Sequence, residues 1–212
     1  MLRLLALDGL AGSGKDAIAD GLVRSHGFTK VPFALPMKEM FARVFELPKY
    51  NFDVRALKDA PLSKPVVLTR DNLTKLLLEL EQRGIEVPPE AYLRCFSFEG
   101  TVLDSPRKIM QIVATDVVRN CVDNLAWVKL WDDEQRKHEK VIAPDARFSD
   151  EKEYVRKIHG KVLLVKRSGV EAMAHVSEND KWPDDRYDAI ISNDGGLQRI
   201  QSEVAMWYTV HK

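Results

Sequence analysis

The stretch LLALDGLAGSGKDAIADGL, residues 4–22, decides the fold of this chain. The apolar run Leu2–Leu7 predicts a strand, and Lys15–Arg24 predicts a helix. Between them, Gly9–Asp16 follows the pattern G-x-x-x-x-G-K-[ST] except in its last residue. Glycines let backbone N–H groups close around phosphate oxygens, and the helix N-terminus adds partial positive charge. The alternative is a chance glycine-rich turn, but the flanking strand and helix favour a loop that binds a nucleoside triphosphate.

The residue after the loop lysine distinguishes this motif from most others of its kind. Lys15 can reach the β- and γ-phosphates, whereas Asp16 stands where a Ser or Thr usually ligates Mg²⁺. A carboxylate can still hold Mg²⁺, directly or through water, although it adds negative charge beside a polyphosphate. The residues predicted to contact the triphosphate in this loop are Gly9, Ala11, Gly12, Ser13, Gly14, Lys15 and Asp16.

Composition narrows the classes of partner. Lys+Arg and Asp+Glu both number 32, and a formal net charge of zero argues against a surface built for nucleic acid. Cys95 and Cys121 are the only cysteines, and their spacing fits neither a zinc site nor a disulfide framework. Since no apolar run approaches membrane-spanning length, we expect a cytoplasmic protein whose partners are small molecules, with no membrane contact.

Strands and helices alternate along most of the chain. The further predicted strands are Phe28–Phe33, Lys140–Ala143, Lys161–Lys166 and Tyr187–Ser192, and the predicted helices start at Pro36 and Ser105 or cover 72–83, Glu151–Ile158 and Leu197–Tyr208. This order predicts a three-layer α/β fold with a central parallel sheet and helices on both faces. We expect a single domain with its core at 1–47 and 105–212 and an inserted, mainly helical region at about 48–104.

The helix predicted from Ser105 to about Val122 carries a polar stripe. Its members stand four residues apart and therefore advance only about 40° each around an α-helix; they are Arg107, Gln111, Thr115 and Arg119. Apolar residues occupy most of the remaining surface, and arginines on a buried helix need anionic partners. Acidic side chains and a ligand phosphate both remain open as those partners, and the planar guanidinium suits a phosphate monoester.

Polar residues also follow two predicted strands. Asp145 and Arg147 lie just past KVIA, where open parallel sheets bind their ligands. Asp145 is a candidate to complete a Mg²⁺ shell, Arg147 to clamp a phosphate and Glu151 to orient it; the alternative is a turn followed by a solvated helix start. Arg167 follows KVLLVK and opens a polar segment, 167–186, which we expect to act as a lid over transferring phosphates, with a solvated loop as the alternative.

These residues together resemble the deoxynucleoside monophosphate kinases of large tailed bacteriophages, a family with the P-loop nucleotide kinase fold. The resemblance covers everything except the middle insertion, and its helix string and D-x-R-F string are the most specific. It rests on GSGKD (12–16), FALPMKEM (33–40), SPRKIMQIVATDVVR (105–119), Trp127, VIAPDARFSDE (141–151), the strand ending in Arg167, and HVSE (175–178). The chain departs from the family at Ala114, where glycine is frequent, and at Pro144, where a small polar residue is usual.

The resemblance implies transfer of the γ-phosphoryl group of ATP, with Mg²⁺, to a deoxynucleoside 5′-monophosphate. It implies catalytic roles for Lys15, Arg147 and Arg167, ATP contacts for Arg167 and Asn193, and metal contacts for Asp16 and Asp145. The residues implied at the monophosphate site are Lys38, Arg107, Gln111, Thr115, Asp116, Arg119, Trp127, Asp145, Arg147 and Glu151.

Two other functions stay open at this stage. One is a different small-molecule kinase with a GKD loop, of the phosphomevalonate kinase kind, and the other is a regulatory P-loop NTPase. The resemblance allows a homodimer, and it would place a phage-encoded protein in the host cytoplasm. The sequence does not rank the bases, because a single hydrogen-bonding group in a pocket decides that preference.

Overall fold

The computed structural model describes residues 2–170, 180 and 182–211. The chain forms two compact units, one made of Met1–Phe33 with Trp131–Lys212 and the other of Ala34–Leu130. The second unit covers more of the sequence than the insertion predicted at 48–104. The single-domain organisation stays a prediction. Half of the predicted lid segment at 167–186, including the HVSE string at 175–178, lies outside the described residues.

The elements alternate largely as the sequence predicts. The strands of the described part are β1 (Leu4–Asp8), β2 (Thr29–Lys30), β3 (Val66–Val67), β4 (Val102–Leu103), β5 (Val141–Ala143), β6 (Lys161–Lys166) and β7 (Ala189–Ser192). The α-helices are α1 (Lys15–His26), α2 (Leu35–Val44), α3 (Tyr50–Asp53), α4 (Arg55–Asp59), α5 (Arg70–Gln82), α6 (Pro89–Phe96), α7 (Pro106–Gln111), α8 (Ala126–Gln135), α9 (Ser149–Lys157) and α10 (Leu197–His211). A π-helix covers Ile112–Arg119 and a 3₁₀ turn covers Asp184–Arg186. Among these helices none combines the length and the apolar character needed to cross a bilayer.

The first unit is built on a five-stranded parallel sheet in the order β2-β5-β1-β6-β7, which confirms the predicted sheet. Every residue of β1 is buried, as expected for a strand covered on both faces. The connection leaving β1 leads towards β2, whereas the connection leaving β6 leads towards β7 on the opposite side. Open parallel sheets bind ligands where the connections diverge in this way, so the glycine loop after β1 lies at such a point.

Helices cover both faces of this sheet, as predicted. Leu5 and Leu7 share a core with Ile18 of α1 and Val204 of α10. Leu4 points to the opposite face because side chains alternate along a strand, and α9 packs there against β1 and β6. β2 is shorter than predicted, since only Thr29–Lys30 of the stretch 28–33 forms a strand.

The second unit is mainly helical around one apolar cluster that includes Phe41, Leu76 and Val117. The helix expected at about 72–83 is α5, which begins at Arg70 behind a capping box between Thr69 and Asn72. A two-stranded antiparallel ribbon of β3 and β4 belongs to the same unit. The sequence does not predict this ribbon, because runs of two residues carry no periodic signal.

The helix predicted from Ser105 to about Val122 is correct only in its first part. Ser105 caps α7 as expected, but the α-helix ends at Gln111 and the chain continues to Arg119 as a π-helix. A π-helix has i→i+5 hydrogen bonds and more residues per turn than an α-helix. On the predicted α-helix, residues four apart advance slowly around the helix axis in one direction. Past Gln111 this advance does not continue, because the larger number of residues per turn in a π-helix shifts residues four apart in the opposite direction.

Helix α8 was missed in the sequence analysis. Trp127, Leu130 and Trp131 recur at the spacing of a helix face and are buried, so the periodic signal was present. Tryptophan and valine have only modest intrinsic helix propensity. Burial of this apolar face, rather than local preference, accounts for the helix.

Gly160 marks the closest packing on the α9 face of the sheet. A Cβ there would lie 2.6 Å from Cγ1 of Val155 and 2.8 Å from Cδ2 of Leu4. We therefore expect Gly160→Ala to lower the free energy of unfolding by about 1–3 kcal/mol through overpacking, measured by denaturant titration. The control is Val155→Ala in the same chain, which removes the nearest clashing atom. A double variant whose loss equals the sum of the two single losses would contradict the packing explanation.

Candidate active site

The glycine loop between β1 and α1 has a backbone that other residues rarely adopt. Gly9, Gly12 and Gly14 have φ angles of 141°, 87° and 102°. At Gly9 a Cβ would also lie 2.3 Å from the carbonyl oxygen of Val165 in β6, so a side chain is excluded on two grounds. The loop therefore passes directly against the end of β6, which fixes its path across the end of the sheet.

Lys15 is buried inside this loop although it carries a charge. Its side chain donates hydrogen bonds from Nζ to the carbonyl oxygens of Gly9, at 2.5 Å, and Leu10, at 2.7 Å. The residue is 8% exposed. The ammonium group is thus held by two backbone carbonyl oxygens, and phosphate oxygens are ligands that can replace them.

Two residues predicted to contact ATP support the loop from outside. Asn193, just after β7, donates from Nδ2 to the carbonyl oxygen of Ser13 at 2.7 Å. Its amide lies so close to Gly14 that a Cβ there would be 2.2 Å from Nδ2. Arg167, just after β6, donates to the carbonyl oxygen of Gly12 at 3.3 Å. The structure therefore brings Arg167 and Asn193, the residues after β6 and β7, onto the loop, and their contacts with ATP stay a prediction.

Asp16, the unusual residue of the motif, lies in the first turn of α1 with its side chain 78% exposed. Its carboxylate forms an ion pair with Lys30 at 2.9 Å, and Lys30 also pairs with Asp20 at 3.0 Å. Partial burial lowers the pKa of Lys30, but the hydrogen bonds that Lys30 donates to the two carboxylates prevail and raise it. A metal ion at Asp16 would therefore compete with a lysine that stays protonated.

Asp145 and Glu151 organise the turn that follows β5. Asp145 accepts a hydrogen bond from the backbone N–H of Phe33 at 2.7 Å, which joins this turn to the end of the segment after β2. Glu151 is buried, and its Oε2 accepts the backbone N–H groups of Arg147, at 2.7 Å, and Phe148, at 3.1 Å. Glu151 therefore fixes the backbone from which the Arg147 side chain extends. The role predicted for Glu151 in orienting a phosphate contact stays a prediction.

A buried ion pair at the end of β1 was missed in the sequence analysis. The Asp8 carboxylate lies 2.8 Å from Nζ of Lys152 and accepts the hydroxyl of Tyr187 at 2.5 Å. Burial, with the hydrogen bond to Asp8, raises the pKa of Tyr187, so its hydroxyl stays protonated and donates. The only available signals were a carboxylate ending an apolar strand and a lysine three residues before Val155 on one helix face, and neither identifies its partner.

In the second unit, two cations predicted to bind the monophosphate are paired with carboxylates. Lys38 lies 3.1 Å from Asp53, and Arg107 forms an ion pair with Asp59. The Asp59 side chain is 48% exposed, and the hydrogen bond from Arg107 lowers its pKa. Asp59 is therefore one partner of Arg107, and the phosphate partner stays a prediction.

The π-helix carries four other residues predicted at the monophosphate site, which are Gln111 at its N-cap, Thr115, Asp116 and Arg119. All four are partly buried. Trp127 supports this segment from α8, since its Nε1 donates to the carbonyl oxygen of Ala114 at 3.0 Å. Trp127 is 4% exposed and packs edge-on against Phe41, so its observed contacts are with the protein core. Stretches of π-helix occur frequently at functional sites.

Comparison with known proteins places the chain in a family. The family model described as deoxynucleotide monophosphate kinase matches residues 91–204, more than half of the chain. The chain is 25% identical over 240 residues to the deoxynucleotide monophosphate kinase of Escherichia phage RB69, covering 96% of this chain and 98% of that protein. It is 26% identical over 236 residues to the protein of the same name from Enterobacteria phage T4, covering 96% and 97%. The chain therefore belongs to the deoxynucleotide monophosphate kinase family.

Proposed function

We propose that this protein transfers the γ-phosphoryl group of ATP to a deoxynucleoside 5′-monophosphate, releasing ADP and the deoxynucleoside diphosphate. The observation that carries the proposal is the buried Lys15 ammonium, held by loop carbonyls at the carboxyl end of β1, in a chain of this family. We further propose that the protein works in the cytoplasm of a phage-infected host, since the relatives named above are phage proteins.

On the donor side, the chain supplies positive charge and fixed N–H groups. Lys15 exchanges the carbonyl oxygens of Gly9 and Leu10 for β- and γ-phosphate oxygens, and the first turn of α1 adds its unpaired N–H groups. Arg167, already at the loop, neutralises charge on the equatorial oxygens as the bond from the γ-phosphorus to the β–γ bridging oxygen breaks. An oxygen of the acceptor phosphate forms the new bond in line, and no strong general base is needed because that phosphate is a dianion near neutral pH.

The residues present fit a Mg²⁺ ion shared with phosphate. Within the described residues no group of three or more acidic, His or Cys side chains could hold a metal. Mg²⁺ beside nucleotides usually needs no such group, because one or two carboxylates join phosphate oxygens and water as its ligands. Asp16 is the carboxylate next to the loop, and Asp145 is the second candidate. The ion would be held by Asp16 and Asp145 beside the phosphates, and it would neutralise phosphate charge there.

On the acceptor side, the second unit supplies Lys and Arg side chains that form ion pairs with carboxylates. Arg107 binds the monophosphate by exchanging Asp59 for a phosphate, and Lys38 does the same with Asp53. The two carboxylates are 41% and 48% exposed, and ion pairs with a solvent-exposed partner contribute little stability, so the exchange costs little. Arg119 adds a second guanidinium, Gln111, Thr115 and Asp116 offer hydrogen bonds to base and sugar, and Trp127 keeps the π-helix in place. In the first unit, Arg147, whose backbone Glu151 fixes, is a further residue proposed to bind phosphate.

The test of the function is ADP production from ATP with each deoxynucleoside monophosphate and with none. We expect ADP formation to depend on the acceptor, and Lys15→Ala to lower kcat by about a hundredfold or more because transition-state charge loses its partner. Phosphomevalonate is the control acceptor. Turnover with phosphomevalonate, or ADP release without any acceptor, would replace the proposal with one of the other two functions.

Asp16 is tested by a Mg²⁺ titration of the rate. If its carboxylate helps to hold the ion, Asp16→Ala raises the Mg²⁺ concentration for half-maximal rate more than it raises the KM for ATP at saturating metal. Asp20→Ala is the matched control, because Asp20 pairs with the same Lys30 but lies outside the loop. A metal titration that is unchanged in Asp16→Ala, or shifted equally in Asp20→Ala, would leave Asp16 as a partner of Lys30 only.

Arg107 and Arg119 are tested by separating acceptor from donor. Each change to Ala removes a charge-assisted hydrogen bond worth about 1.5–3 kcal/mol, so acceptor affinity falls roughly 10- to 150-fold while ATP affinity, measured by calorimetry, changes much less. Lys108→Ala removes a charge from the same helix as a control, since Lys108 pairs with Asp104.

Asp59→Asn distinguishes the two partners that Arg107 can have. If Arg107 binds phosphate, this change keeps acceptor affinity at or above that of the wild type because the competing carboxylate is gone. If the ion pair is purely structural, Asp59→Asn and Arg107→Ala lower the melting temperature together and leave acceptor affinity unchanged.

A further inference from the structure

The ion pair of Asp8 and Lys152 needs an explanation beyond stability. Lys152 is fully buried and Asp8 is 5% exposed. Buried ion pairs often add no net stability over apolar residues of similar volume, because both charges lose their hydration. The pair also lies outside the residues that the proposed mechanism uses. Its position at the end of β1, one residue before the glycine loop, points to a role in that loop.

Asp8 sets the conformation at the entrance of the loop. Its Oδ1 accepts the backbone N–H of Gly9 at 2.6 Å, and Gly9 is the residue that passes against β6 with a φ of 141°. The Gly9 carbonyl in turn accepts from Lys15. A carboxylate in this position thus orients the first peptide of the loop that holds the catalytic ammonium group.

The same carboxylate brings a negative charge next to a site for polyphosphate. In a poorly hydrated environment an uncompensated charge acts strongly over several ångströms. It would repel phosphate oxygens and attract the Lys15 ammonium away from them. Lys152 opposes both effects, since its Nζ lies 2.8 Å from Oδ2 of Asp8.

Lys152 lies near the start of α9, and hydrogen bonds hold its side chain in place. It follows Glu151, which binds the backbone of Arg147. Its Nζ donates to the carbonyl oxygen of Asp180 at 2.9 Å, and the Asp180 carboxylate accepts the backbone N–H of Ser149 at 2.8 Å. The ammonium group therefore has two hydrogen-bonded partners and little freedom to leave Asp8.

We propose that Lys152 is a positioning residue for ATP, which neutralises Asp8 so that Asp8 can orient the glycine loop without repelling the polyphosphate. This inference rests on the proposed function only as far as ATP binding. Lys152 touches neither substrate, and it acts through Asp8 and the loop. Tyr187 donates a hydrogen bond to the same carboxylate but carries no charge. A change at Tyr187 therefore separates the effect of hydrogen bonding to Asp8 from the effect of neutralising its charge.

The experiment measures ATP affinity by calorimetry without acceptor, beside the melting temperature of each variant. Lys152→Met keeps the length of the side chain and removes its charge, and we expect ATP affinity to fall about tenfold or more. Asp8→Asn keeps an oxygen that can accept from Gly9, so ATP binds at least as tightly as in the wild type. The double variant Asp8→Asn with Lys152→Met returns ATP affinity to within about threefold of the wild type.

Two controls isolate the charge effect. Lys157→Met removes one charge from the exposed end of α9, and Tyr187→Phe removes only a hydroxyl donor from Asp8. We expect the first to leave both readouts unchanged and the second to lower the melting temperature while ATP affinity stays within about twofold. The acceptor KM stays unchanged in Lys152→Met, because the effect concerns the donor loop.

Three results would overturn the inference: ATP affinity in folded Lys152→Met equal to that of the wild type, no recovery in the double variant, or an Asp8→Asn protein that binds ATP more than about tenfold more weakly. The last result decides the question even if Lys152→Met fails to fold. Failure of the proposed function has a different signature, because a wild type that binds ATP but phosphorylates no deoxynucleotide leaves the affinities comparable. A wild type that binds no ATP would overturn both.

Discussion

The path of the backbone from β1 into α1 is the constraint on which the rest of the first unit depends. Gly9 passes so close to the carbonyl of Val165 that no side chain fits, and Gly14 lies directly against the amide of Asn193. The ends of β6 and β7 therefore hold a loop that precedes them by more than a hundred residues. Only a sheet with β1 next to β6 and β6 next to β7 supplies both supports, so the strand order and the loop conformation require each other.

Charges around the loop are paired in two ways that differ in how easily they exchange. Asp16 and Lys30 meet near the surface, where water can replace either partner at little cost. Asp8 and Lys152 meet in the interior, where removing one partner leaves an uncompensated buried charge. The exposed pair is therefore suited to make way for a ligand or a metal ion, while the buried pair is suited to stay fixed during turnover. Both kinds of pair are compatible with the formal net charge of zero. The net charge therefore does not distinguish exposed pairs from buried ones.

The fold was predictable wherever local pattern and burial agree. The apolar run before the glycine loop and KVLLVK each form a strand of the parallel sheet, and the predicted β6 has the observed ends. The π-helix was not predictable, because side chains distant in the sequence hold its carbonyl groups: Trp127 donates to Ala114, and Cys95 lies 3.8 Å from the carbonyl oxygen of Val117. Such contacts compete with the regular hydrogen bonds of an α-helix, and no local propensity encodes them.

The sequence by itself determined the phosphate loop, because a strand, glycines in order and a helix start suffice to aim backbone N–H groups at one point. It also determined which residue types stand at the ends of the strands. The tertiary structure alone decided which charges meet: Asp8 with Lys152, 144 residues apart, and Arg107 with Asp59, 48 residues apart. The physical reason is that a charged side chain acquires its role from its partner and its burial, and both depend on contacts between distant segments of the chain.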